Sequence, residues 1–108
     1  MQSPCITKLI LDENEIAECS LKGHPSLCVL SLNRNKLTSG EGLVGLHHLE
    51  ELQIGENETL TTLKGLEDLP KLKKLTLNGC KIESLADFPN LPALEELNLD
   101  GNAVAGLD

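Results

Sequence analysis

Aromatic residues are almost missing: one Phe, no Tyr and no Trp in 108 residues. Irregular globular cores lean on such side chains, which bury a large area each. Leucine has to do the packing instead. Tyr and Trp also dominate binding hot spots, so their absence lowers the affinity expected of any surface here. Positive charge is scarce as well, with 9 Lys and Arg against 17 Asp and Glu, for a formal charge of −8. That excludes sequence-independent binding to nucleic acid, which needs a basic footprint, and it suits a basic partner. No apolar run approaches the roughly 20 residues of a membrane span, so no membrane partner is expected. Met1-Gln2-Ser3-Pro4-Cys5 has no basic segment followed by an apolar stretch, so no signal peptide is expected and the cytoplasm or nucleus is the default. The four cysteines include no Cys-x-x-Cys and are read as reduced. Gly-x-Ser-x-Gly, His-Glu-x-x-His and a phosphate-cradling Gly loop are all missing, so neither an enzyme nor a cofactor is expected.

What the chain has instead is leucine at fixed intervals. In residues 72–93, with Leu72 as position 1, apolar residues fall at 1, 4, 6, 11, 14, 17 and 20: Leu72, Leu75, Leu77, Ile82, Leu85, Phe88 and Leu91. The spacing is 2 in Leu75-Thr76-Leu77 and 3 from Ile82 onward. Period 2 is that of a strand; period 3 suits a 3₁₀ turn or a loose return arm. One such unit cannot bury its own apolar edge, so copies must stack.

Positions 1, 4, 6, 9 and 11 recur as Ile6, Leu9, Leu11, Asn14, Ile16, and again as Leu27, Leu30, Leu32, Asn35, Leu37. They return as Leu49, Leu52, Ile54, Asn57, with Leu60 one place late, and finally as Leu94, Leu97, Leu99, Asn102, Val104. Starts at 6, 27, 49, 72 and 94 give steps of 21, 22, 23 and 22. This is the pattern L-x-x-L-x-L-x-x-N/C-x-L, and over residues 6–108 the chain resembles the leucine-rich repeat superfamily. Its steps are similar to the 22-residue class, which includes a protein phosphatase 1 regulatory subunit, acidic leucine-rich nuclear phosphoproteins and internalins. The resemblance implies an α/β repeat solenoid: a horseshoe with a parallel concave β-sheet and convex arms that are 3₁₀, short-helical or irregular. Residues 1–108 are read as a single domain. The fifth unit stops at Asp108 with its arm incomplete, and the chain is expected to be a fragment of a longer array.

Within this frame, repeat 2 has a Gly-rich arm at Ser39-Gly40-Glu41-Gly42, after which Leu43 and Leu46 restore the core. Repeat 3 carries one extra residue in Glu56-Asn57-Glu58-Thr59. Asn14, Asn35, Asn57 and Asn102 at position 9 are expected to satisfy backbone groups at the turn after each strand. Cys80 stands in for Asn in the fourth unit as a weaker rung. Asn57-Glu58-Thr59 is also a glycosylation sequon, but a rung faces inward. Cys19 falls on an inward position, and Cys5 and Cys28 start adjacent strands. His24, His47 and His48 gather near one edge with no further thiol or carboxylate beside them; His47 occupies a slot that is otherwise proline and is read as a turn residue, and no metal is expected.

Inward positions 4 and 6 leave 3, 5 and 7 facing out along the strands. Close-spaced strands and bulkier arms curve the stack, which puts this face on the concave side. In the superfamily that face commonly binds other proteins. The expected partner-binding set is Ser31, Asn33, Arg34, Glu51, Gln53, Glu56, Lys74, Thr76, Asn78, Glu96, Asn98 and Asp100. Glu50-Glu51, Lys73-Lys74 and Glu95-Glu96 should stack as an acid–base–acid ladder, with register support as its first role. The partner is expected to be another protein. The alternative is a scaffold segment that packs through its ends within a larger assembly.

Overall fold

Alternating side chains set the strands, and the strands set everything else. The computed structural model describes residues 7–17, 26–40, 42–82 and 90–102. Within them lie β1 (Lys8–Ile10), β2 (Val29–Ser31), β3 (Glu51–Gln53), β4 (Lys74–Thr76) and β5 (Glu96–Asn98). They form one parallel sheet in sequence order. Each begins two places after a predicted repeat start, and each pairs position for position with the next: Leu9, Leu30, Leu52, Leu75 and Leu97 align across all five. A one-residue slip would turn every leucine to the wrong face, so the leucine column itself fixes the register.

Pairing extends past the strands on both sides. The carbonyl at position 2 accepts from two successive N–H groups of the next unit, as Cys28 does from Glu50 and Glu51, and Glu50 from Lys73 and Lys74. At position 8 the N–H donates to the position-7 carbonyl of the next unit: Glu13 to Asn33, Arg34 to Gly55, Glu56 to Asn78, Gly79 to Asp100. The chain turns at this point, and every position 8 has a left-handed backbone, with φ of 59°, 59°, 55°, 74° and 74° at Glu13, Arg34, Glu56, Gly79 and Gly101. Only the last two carry the residue that adopts it without strain.

Behind the sheet, the leucines of the strands meet those of the arms in one continuous core running from Leu27 to Leu91. Leu43, Leu46, Leu60, Leu63, Leu66 and Leu69 are all buried, so both irregular arms recover their phase. The described arm segments are turns and extended chain; among the described residues the irregular form of arm is the one adopted, and neither 3₁₀ nor α-helix occurs. Closely spaced glycines in repeat 2 and the extra residue in repeat 3 suit such a path better than a regular helix. Leu85, Phe88, Cys5, Cys19, His24, Val104 and Leu107 lie outside the described residues.

Gly40 shows how tightly neighbouring arms approach. A Cβ there would sit 2.6 Å from Leu66 Cβ and 2.8 Å from Leu66 N. Backbone cannot swing aside as a side-chain tip can, so Gly40→Ala should cost about 1–3 kcal/mol by overpacking. A denaturation midpoint equal to wild type would mean that the two arms lie farther apart.

Candidate functional site

Two ladders of polar side chains frame the concave face. The inner one is the position-9 column. Asn57 Nδ2 donates to the carbonyls of Leu32 (3.0 Å), Ile54 (2.9 Å) and Gly55 (3.1 Å), while its Oδ1 accepts from Leu37 N at 3.1 Å. Asn35 repeats this with Leu11, Leu32 and Asn33 as acceptors and with Asn14 N and Ile16 N as donors. Asn102 donates to Leu77 and Leu99 and accepts from Ile82 N. Asn57 is fully buried, with its amide nitrogen committed three times, and Thr59 Oγ1 donates to Leu37 O. That geometry leaves no room for a glycan on the folded chain.

Cys80 supplies the fourth rung, its Sγ donating to Ile54 O at 3.2 Å. Burial raises its pKa, with hydrogen bonds from the backbone of Asn57 and Glu56 opposing. A thiol cannot match the Asn Oδ1 as an acceptor, and the extra residue in repeat 3 explains why none is needed. The N–H that such a rung would serve, on Leu60, already donates to Asn57 O at 3.0 Å. The insertion and the cysteine therefore compensate each other.

The outer ladder, at position 7, is not evident from alternation alone. Asp12 Oδ1 accepts from Asn33 N at 2.9 Å and from Ser31 Oγ at 2.6 Å. Asn33 Oδ1 accepts from Gly55 N at 2.8 Å, and its Nδ2 donates to Gln53 Oε1 at 3.1 Å. Ser31 was expected to stand open on the face; it is only 5% exposed, covered by these partners, and its inclusion as a free contact residue is corrected. Asn33 is likewise engaged within the fold. In the next layer the column is Gly55, where a Cβ would lie 2.5 Å from Asn78 Oδ1, so the Asn78 side chain leans over the glycine. The result is a shallow hollow of about 230 Å³ lined by Asp12, Glu13, Asn33, Arg34, Gln53, Gly55, Glu56, Thr76 and Asn78.

Arg34 stands at the rim of that hollow between carboxylates from both neighbouring repeats. Its Nε lies 2.8 Å from Glu56 and its Nη1 lies 3.3 Å from Glu13. The hydrogen bond and charge of Glu56, then those of Glu13, raise its pKa further. The pairs are exposed and contribute little to stability, but they fix where the guanidinium sits. Along position 3, Lys74 Nζ meets Glu96 at 3.3 Å. Glu51, in register with Lys74, takes its hydrogen bond from Gln53 Nε2 instead, so half of the expected acid–base–acid ladder closes as an ion pair. Gln53 and Thr76 are half-buried, and Asn98 and Asp100 are exposed at the far end. Asp100 N donates to Asn98 Oδ1 at 3.0 Å.

Outside the concave face, His47 Nε2 lies 2.8 Å from Asp68 Oδ2. The expectation that no carboxylate stands near the histidines is thereby corrected: Asp68 is brought close by a left-handed turn (φ 60°) in the next arm, a feature that one sequence does not reveal.

The family model described as leucine rich repeats (2 copies) matches twice, over residues 25–68 and 70–108. An uncharacterized leucine-rich repeat-containing protein of Schizosaccharomyces pombe is 36% identical over 90 residues, covering 80% of this chain and 14% of that protein. Protein NUD1 of Saccharomyces cerevisiae is 33% identical over 104 residues, covering 94% of this chain and 11% of NUD1. Acidic leucine-rich nuclear phosphoprotein 32 family member A of Drosophila melanogaster is 33% identical over 96 residues, covering 88% of this chain and 33% of that protein. The chain thus spans a third or less of the length of these relatives. No solved structure matches it at the same level of significance. With five units in register and a family match over most of its length, the chain belongs to the leucine-rich repeat family.

Proposed function

We propose that the chain is a recognition module that binds another protein on its concave sheet face. In general terms the leucine-rich repeat family and these relatives point to protein interaction. The observation that carries the finer reading is the line Gln53, Thr76, Asn98, which crosses three consecutive strands in exact register at position 5. No described segment covers it, and each residue keeps part of its surface open to solvent. The work is done by recognition alone, without chemistry on the bound partner. Two of the matched relatives are named nuclear phosphoproteins, which supports an intracellular setting, with nucleus or cytoplasm as the proposed compartment.

Replacing Gln53, Thr76 and Asn98 together with Arg should abolish binding to a partner recovered by pull-down, measured by calorimetry. Stability should change by no more than about 0.5 kcal/mol at exposed Asn98, and by about 0.5–1.5 kcal/mol at Gln53, which loses its hydrogen bond from Asn33. The control exchanges Lys64 for Glu and Glu67 for Lys, both exposed on the arm of repeat 3. Loss of binding in this control, with the strand-face variant intact, would move the site to the convex side. The second reading is that the module packs through an end, tested at Leu97, an inward-column residue of β5. A concentration-dependent mass in light scattering, abolished by Leu97→Ser, would support it.

A further inference from the structure

We propose that the concave face is built for an extended segment of a partner protein that carries an aliphatic side chain and, three to four residues away, an arginine or lysine. This rests on the reading of the concave face as the binding surface. Two features of that face, on different strands, point to the two side chains. At position 5 of β1, Ile10 is 57% exposed on the strand face opposite Ser31, and Val29, one strand over and two places along, is half-buried on the same face. An aliphatic contact there would remove apolar surface from water on both sides.

The second feature is the hollow over Gly55. Columns 3, 5, 7 and 8 place six carboxylates (Asp12, Glu13, Glu51, Glu56, Glu96, Asp100) against three cations (Lys8, Arg34, Lys74). Arg34 and Lys74 are already bound to carboxylates of the chain itself, so the surplus is negative. Beside the hollow, the Thr76 hydroxyl and the Asn78 amide are half-buried. A cationic side chain entering over Gly55 would meet carboxylates at the rim and neutral acceptors inside it. An incoming carboxylate could pair only with Arg34, which Glu13 and Glu56 already hold, and would be repelled by the carboxylates at the rim.

The spacing follows from strand geometry. Ile10 and Gly55 are two strands apart and two residues apart along the strand, or about 12 Å on the diagonal, which an extended chain crosses in three to four residues.

The probe is a blocked pentapeptide with leucine first and arginine last, separated by serine, glycine and serine, titrated into ¹⁵N-labelled protein. Saturable shifts are expected at the amides of Ile10, Asn33, Gly55 and Thr76. Binding should weaken about fivefold or more when glutamate replaces the arginine, and similarly when serine replaces the leucine. Ile10→Ser should erase the preference for leucine, and Glu56→Gln should reduce the preference for arginine, both in proteins with unchanged circular dichroism. Equal shifts with the glutamate peptide, shifts confined to the arms, or no saturation below about 10 mM would overturn the proposal. If the pentapeptide fails while the triple Arg variant still loses the natural partner, the concave face stands and this occupant is wrong. If only the return-arm variant loses that partner, both fall.

Discussion

Leu75→Ala should destabilise the chain by about 2–5 kcal/mol, the range for emptying a filled leucine site. Leu75 is completely buried at the centre of β4 and lies between Leu52 and Leu97 in the same column. A repeat stack has no second core to share the loss, since each unit is supported only by its neighbours. The readout has to be far-UV circular dichroism in denaturant, because a chain with no Trp or Tyr gives no useful intrinsic fluorescence. The midpoint should fall with little change in slope. Leu97→Ala supplies an internal comparison from the same column: it is already 40% exposed, so its cost should be nearer 1 kcal/mol. Equal losses at the two positions would contradict the burial gradient along the sheet.

Asn57→Ala is expected to cost about 3 kcal/mol, and most of that comes from one group. The three carbonyls that Asn57 serves keep other partners: Leu32 O still accepts from Asn35, Ile54 O from Cys80 and Gly55 O from Arg34 N. Leu37 N has Asn57 Oδ1 as its acceptor, and losing it strands a buried N–H, which carries a penalty of about 1–3 kcal/mol. The emptied amide site adds a cavity cost. Asn57→Asp should do at least as much harm at neutral pH, since it keeps an acceptor for Leu37 but turns a second oxygen toward three carbonyls. Hydrogen exchange at the Leu37 amide gives a local check. If protection there survives in Asn57→Ala, the rung is not what holds that turn.

The repeat frame was legible because it is carried by apolar spacing, and spacing survives in a single sequence. Leu9, Leu30, Leu52, Leu75 and Leu97 mark the register in the sequence itself, and the Asn column marks the turn. The position-7 ladder was not legible. Alternation sends Asp12 and Asn33 outward, and only the closeness of the next strand shows that an outward Asx side chain can bend sideways onto the neighbouring N–H. Ser31, Asn33 and Gln53 of the candidate face are thereby held by the fold itself, which sequence alone counts as free. The left-handed turn at position 8 was half visible, in Gly79 and Gly101; Glu13, Arg34 and Glu56 adopt it against their own preference. The arms were the least legible, because a spacing of 3 fits a tight helix and an irregular turn equally well.

The compensation between Leu60 and Cys80 bears on how such arrays are shuffled. A solenoid looks like a string of interchangeable cassettes, but repeats 3 and 4 are not separable. Moved beside a unit of ordinary length, repeat 4 would bring a thiol where a backbone N–H asks for an amide oxygen. Moved in front of an Asn-bearing unit, repeat 3 would meet an amide whose oxygen has no N–H to receive. The smallest piece of this chain that can be transplanted intact across that junction is therefore the pair, so recombination or consensus design should cut on either side of residues 49–93 and not between them.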